Sequence, residues 1–319
     1  MRIETTARLA KATICAAVLA VAACAPAEQA PPTPDRAEAA APPRPPITFS
    51  QLLARPREKA EVRLAYGPEP LQFGELWLPA GRGPHPVVVL IHGGCWRADL
   101  PGLELMDYMA ADLRSRGVAV WNLEYRRLDE TGTAYPTTFA DTAAGVDHLR
   151  ALAGPHRLDL RRVVFSGHSA GGHLALWAAA RHRLPNASPL RTARPLRPAR
   201  VVTLAGINDL AAYRADGPAA CGGPEIVNRL VDASVRAAPF ADTSPPELLP
   251  LNLPQTVISG QLDKIVPSRF GAAYSETATR AGDTARHLNI AGAGHFELID
   301  PTSAAWTQVE PELTGSLPR

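Results

Sequence analysis

Arg162-Val-Val-Phe-Ser-Gly-His-Ser-Ala-Gly-Gly-His-Leu174 is the stretch on which the fold turns. A short apolar run ends at Phe165, a tight small-residue turn surrounds Ser169, and an apolar helical pattern begins at His173. Gly167-His168-Ser169-Ala170-Gly171 matches G-x-S-x-G in the strand-turn-helix setting that lifts a serine hydroxyl off a sharp turn. Glycines are needed there because the turn leaves no room for side chains beside the serine. Taken alone, a glycine-rich turn with Ser169 as a helix N-cap explains the string as well.

Outward from that turn, strands and helices alternate. Residues 86–91, Pro-Val-Val-Val-Leu-Ile, form a continuous apolar run, as expected of a strand covered on both faces. Runs of the same kind recur at 118–123, 162–165, 201–204, 255–259 and 287–290. Helical patterns lie between them, notably at 138–152, 173–182, 224–233 and 268–280. Residues 61–66 and 71–78 read as antiparallel strands around the turn residues Gly67-Pro68. The alternation predicts an α/β fold: a mostly parallel twisted sheet with antiparallel N-terminal strands and helices on both faces. Ligands bind such sheets at the carboxyl ends of the strands.

Three further groups fall at those ends. His92-Gly93-Gly94 follows the 86–91 run, and two successive glycines let backbone N–H groups approach a substrate oxygen. With the N–H of Ala170, Gly93 and Gly94 are the expected oxyanion hole. Asp263 follows the 255–259 run and is suited to holding an imidazole tautomer, and His295 stands in a glycine-flanked loop after the last run. A lone Asp is usually a turn-former and a lone His a surface residue. Ser169, Asp263 and His295 in that order, each after a strand, follow the order of the α/β-hydrolases and are the expected catalytic triad. His295 then takes the serine proton during attack and returns it to the leaving group. Asp209 also follows a strand, but its place before Asp263 suits a structural or lid-anchoring role better. This chemistry needs neither a metal nor an organic cofactor, and His92, His168 and His173 show no metal-ligand spacing.

The 319 residues suit one large domain with a tail, and 46% apolar with 20% charged residues is ordinary for a globular core. The 33 basic and 31 acidic residues nearly cancel, which gives no reason to expect a nucleic-acid partner. Arg191, Arg194, Arg197 and Arg200 read as a solvated, proline-interrupted loop. Arg2, Arg8 and Lys11 precede an apolar run from Ala12 to Ala23, the layout of an export signal. That run is short for a membrane span, which needs about 20 apolar residues. Residues 24–46, rich in Pro, Ala and charge, read as an extended tether, leaving 47–319 as the folded domain. Cys95 and Cys221 fall in that domain, either as a disulfide or as two separate thiols. Nothing in the sequence specifies an oligomeric state.

His92-Gly-Gly-Cys-Trp96 resembles the HGGxW motif of kynurenine formamidases and of the small esterases similar to them, grouped as bifunctional feruloyl and acetyl-xylan esterase-like domains. The elbow Gly167–Leu174, Glu124-Tyr-Arg126, Asp141 and Gly206-Ile-Asn-Asp-Leu210 are similar to theirs as well, and the resemblance covers roughly residues 71–301. It implies a serine hydrolase cleaving small-molecule carboxylic esters through an acyl-enzyme, with arylformamide hydrolysis as the alternative. A non-catalytic binding module is a third reading, although such relatives typically lose a triad member. Trp96 is implied either as a substrate-binding wall of the acyl or aryl site or as a packing residue. Two departures fall where specificity can be set: Cys95, where larger or aromatic residues are common, and a Pro/Arg-rich insertion at 184–200 that is a candidate lid. Val21-Ala-Ala-Cys24 resembles a bacterial lipobox. That resemblance implies lipidation of Cys24 and an exported protein tethered to a membrane, at the outer membrane or the periplasmic face.

Overall fold

The computed structural model describes residues 45–129 and 134–315. The export signal, Cys24 and all but the last residues of the tether lie outside them. In chain order the elements are α1 (Phe49–Leu53), β1 (Val62–Ala65), β2 (Phe73–Trp77), β3 (His85–Ile91), α2 (Asp107–Ser115), β4 (Ala119–Leu123), α3 (Thr137–Asp147) and α4 (Leu149–Ala153). The second half adds β5 (Leu158–His168), α5 (Ala170–Ala180), β6 (Arg200–Leu204), α6 (Leu210–Asp216), α7 (Pro224–Val231), β7 (Gln255–Gly260), α8 (Ser268–Arg280), β8 (Ala285–Ile290) and α9 (Trp306–Thr314).

Among the described residues the strands form one 8-stranded sheet in the order β1-β2-β4-β3-β5-β6-β7-β8. β1 pairs antiparallel with β2, and β2 with β4; from β4 to β8 every pairing is parallel. Strand pleating sends alternate side chains to opposite faces, which explains why the β3 run is apolar throughout. Val87, Val89 and Ile91 face the core shared with Phe139, Trp177 and Val227, whereas Val88 and Leu90 face the one shared with Met109, Leu113 and Val309. Each β3 valine or leucine is fully buried and contributes about 1.5–3 kcal/mol of burial free energy. The α/β fold expected from the alternation is therefore the fold observed.

Three elements differ from expectation. β5 runs from Leu158, before the apolar core of its sequence: Asp159 and Arg161 interrupt the apolar pattern, and Arg161 and Arg162 both pair with the buried Asp159. Residues 138–152 form two helices, not one. The carbonyl of Gly145 accepts from Trp121 Nε1 at 2.9 Å where the helical ladder is interrupted near His148. Residues 184–200 lead from the far end of α5 into the amino end of β6, where Ala199 N–H donates to the Val163 carbonyl. This is the amino-terminal end of the parallel strands, opposite Ser169, and buried Leu184, Leu190 and Leu196 pin the segment into the core. The insertion is therefore a packed connection and does not serve as a lid over the serine.

Candidate active site

The carboxyl end of β5 delivers Ser169 with φ 56° and ψ −120°, a backbone that a residue with a Cβ adopts at a cost of about 1–3 kcal/mol. The flanking glycines make it possible. A Cβ on Gly167 would lie 2.1 Å from the Gly171 carbonyl oxygen, and one on Gly171 would lie 2.0 Å from that of Ile91. The N-cap explanation fails on the same geometry: the Ser169 side chain makes no capping bond to α5, whereas a capping residue sits in the extended region with its oxygen on the helix N–H groups. The hydroxyl thus stays available, at the positive end of an eleven-residue helix whose residues are all buried.

Asp263 and His295 meet across the ends of β7 and β8. Asp263 Oδ1 accepts from the N–H groups of Ile265 at 2.7 Å and Val266 at 2.9 Å, which fixes the carboxylate. Its Oδ2 lies 2.6 Å from His295 Nδ1. That contact holds the proton on Nδ1 and leaves Nε2, which has no partner among the described residues, as the basic nitrogen. No hydrogen bond joins His295 to Ser169; the two are brought together through His168. Nε2–H of His168, the residue before the serine, donates to the His295 carbonyl at 3.0 Å, and the two rings lie 4.4 Å apart. Burial, followed by the charge of His295, holds His168 well below the usual histidine range, so it stays neutral under the site.

Gly93 packs directly against the elbow, since a Cβ there would lie 3.1 Å from Ser169 Cβ. The N–H groups of Gly93, Gly94 and Ala170 donate to no acceptor among the described residues. Behind them lies a support not anticipated from the motif. His92 Nδ1 is 2.7 Å from the Gly93 carbonyl and Nε2 is 3.0 Å from Glu124 Oε1. Both neighbours are acceptors that an imidazole N–H can reach. Burial pushes the Glu124 carboxyl up, but His92, Arg127 and the Tyr125 N–H outweigh it and hold the group at about 2. The Tyr125 ring stacks on His92 at 4.4 Å, and its hydroxyl donates to the His92 carbonyl at 2.9 Å. Within the peptide joining Gly93 to Gly94, the carbonyl and the N–H point in opposite directions. Anchoring that carbonyl on His92 therefore aims the Gly94 N–H away from it. His92, read from sequence as merely structural, supports the donor loop; Glu124 after β4 was the available sign.

Trp96 is fully buried, with its ring edge-on to His173 at 5.4 Å, and packs behind the loop rather than forming an open substrate wall. Burial drives His173 down to about 4, with its bond to the Thr243 carbonyl opposing the shift. Asp209 caps α6 through Ala212 N–H at 3.0 Å, which suits its structural reading. Cys95 and Cys221 are joined as a disulfide with Cα atoms 5.3 Å apart, resolving the open alternative. Closing a loop of 126 residues removes about 5 kcal/mol of unfolded-chain entropy in the chain-entropy model. Among the described residues, no cluster of His, Cys, Asp or Glu has the make-up of a metal site, and no helix is long and apolar enough to cross a membrane.

Residues 75–277 match the model of the BD-FAE family. A truncated form of a carbohydrate esterase from gut microbiota superposes with a TM-score of 0.66 at 20% identity, over 81% of this chain and 96% of that one. The propionate-bound thermophilic esterase of the Planctomycetes species Thermogutta terrifontis superposes at 0.63 and 18% identity, over 81% and 96%. Esterase 2 of Thermogutta terrifontis phosphonylated by sarin superposes at 0.65 and 17% identity, over 83% and 99%. At these identities the likeness establishes the shared fold. No curated relative matches the sequence significantly. The family match spans well over half of the chain, so this protein belongs to the BD-FAE family of α/β-hydrolase-like feruloyl and acetyl esterases and is an ester hydrolase.

Proposed function

We propose that the protein cleaves small carboxylic esters through an acyl-enzyme on Ser169. The observation that carries this reading is the 2.6 Å contact of His295 with Asp263 beside a serine held at φ 56°. As Ser169 Oγ attacks the carbonyl carbon, its proton passes to His295 Nε2, and Asp263 stabilises the resulting imidazolium. The carbonyl oxygen becomes an oxyanion, bound by the N–H groups of Gly93, Gly94 and Ala170. Loss of one such donor costs roughly 3–4 kcal/mol of transition-state stabilisation in comparable sites. His295 then protonates the departing alcohol, and a water activated by the same nitrogen releases the acid.

Turnover of p-nitrophenyl acetate, compared with that of N-formylkynurenine, tests the substrate class, and a preference for the formamide overturns it. Ser169→Ala is expected to abolish both ester turnover and fluorophosphonate labelling. Labelling that persists in the variant removes the nucleophile assignment. We further propose that the protein is exported and tethered through lipidated Cys24, a reading supported by Val21-Ala-Ala-Cys24 after the apolar run. Cys24→Ser should release it from sedimented membranes, and a variant that still sediments has its anchor elsewhere.

A further inference from the structure

The loop carrying the Gly93 and Gly94 amides has an unusual backbone. Gly94, Cys95 and Trp96 have φ values of 99°, 52° and 55°, a left-handed run in which two of the three residues carry a Cβ. Hydrogen bonds hold the loop on either side of Cys95 but not at it. Upstream, the Gly93 carbonyl is tied to His92; downstream, the Trp96 carbonyl accepts from Leu128 N–H at 2.7 Å; and Arg97 N–H donates to the Gly94 carbonyl at 2.8 Å, closing a turn with Cys95 and Trp96 at its centre. Neither the N–H nor the carbonyl of Cys95 bonds to any described residue. Its directional tie is the sulfur.

That tie leads to a firm anchor. Cys221 is fully buried and ends a single helical turn, Ala219–Cys221, that feeds through Gly222 and Gly223 into α7. Ile226, Val227, Leu230 and Val231 of α7 are buried in the same core cluster as Cys95 and Trp96. Because Trp96 is held downstream, relaxation of Cys95 toward negative φ would loosen the turn and shift Gly94, whose N–H the reading above places on the developing charge. We propose that the Cys95–Cys221 disulfide is a positioning element of the ester-cleavage reaction, clamping the loop so that the Gly94 N–H stays on the oxyanion. This rests on the reading of Ser169 and its amide donors given above.

Cys221→Ala tests the clamp, since it removes the anchor while leaving the loop's own sequence intact. The full chain is assayed with p-nitrophenyl acetate, and active sites are counted by fluorophosphonate titration. The oxyanion exists only in the transition state, so kcat per titrated site should fall about 10- to 100-fold while KM stays within about twofold. A fall smaller than tenfold, a change confined to KM, or a loss accounted for by fewer titratable sites overturns the proposal and leaves the disulfide as a stabilising staple. Should Cys221→Ala fail to fold, wild-type protein reduced in place with a phosphine, and shown by thiol counting to have gained two thiols, is held to the same criterion, with recovery of kcat on reoxidation. Ser169→Ala separates the two levels. If it stays active, the nucleophile reading fails; if it is inactive while the disulfide-free enzyme keeps its full kcat, only the clamp is lost.

Discussion

Replacing Glu124 by Gln removes a buried carboxylate held by His92, Arg127 and the Tyr125 N–H and should damage stability and catalysis together. The carboxyl is held at about 2 from an ordinary value of 4.5, a difference of about 2.5 pH units, or about 3 kcal/mol of interaction favouring the ionised form. A lowered carboxylate pKa stabilises the fold fully above the unfolded value near 4.5 and loses that stabilisation as the pH falls through about 2. Urea unfolding at pH 7 should therefore show Glu124→Gln weaker by about 3 kcal/mol, with a gap to wild type that narrows steadily below pH 4.5. The amide also grips His92 less firmly, and His92 holds the Gly93 carbonyl at 2.7 Å. Hydrolysis of p-nitrophenyl acetate should accordingly lose about tenfold or more in kcat, with little change in KM. A stability gap under about 1 kcal/mol, or one unchanged between pH 7 and pH 3, refutes the charged-pair account. Unchanged kcat refutes the link to the donor loop.

Asp263→Asn should lower kcat by about 10⁴-fold in steady-state kinetics, because an amide in place of the carboxylate favours the wrong His295 tautomer, while thermal stability changes little. Gly171→Ala would drive a methyl group to within 2.0 Å of the Ile91 carbonyl oxygen; calorimetry should show a loss of more than about 3 kcal/mol or no folded protein at all. Burial, then Glu75, raises the Asp107 carboxyl to about 7, with Arg57 opposing. The folded state therefore holds a proton that the unfolded state has lost between about pH 4 and 7, and wild-type stability falls with rising pH across that window by up to about 1.4 kcal/mol per unit. Asp107→Asn should gain on wild type as pH rises from 4 to 8 in urea titrations, and a constant difference would contradict the raised value.

The sheet could be read from residues 86–91 and their relatives because burial on both faces demands unbroken apolar runs, and β3, β6 and β7 are found within a residue or so of expectation. β5 was recognised only over residues 162–165, since charged Asp159 and Arg161 interrupt its start and the small residues of the elbow hide its end. α2 escaped because Met109, Ala110 and Leu113 give too narrow an apolar stripe to stand out beside Asp107, Asp112 and Arg114. In the site, Ser169, Asp263 and His295 could be singled out because each follows a strand, a property local to the chain. The support beneath them was less legible: Glu124 was the available sign for His92, and Cys95 and Cys221 stayed open between a disulfide and two thiols, because both contacts depend on how distant elements stack.

The position of β8 at the sheet's edge, next to β7 alone, has a consequence for how the enzyme fails on heating. An edge strand detaches by breaking one ladder, whereas the central β5 is gripped on both sides, so the two open with different free energies. The imidazole travels with the weaker of the two. Sub-global opening at β8 would carry off the base while the nucleophile and its amides stay in place, so heat inactivation should run ahead of the loss of the circular dichroism signal. Fluorophosphonate reactivity, which needs the base, should fade along with turnover.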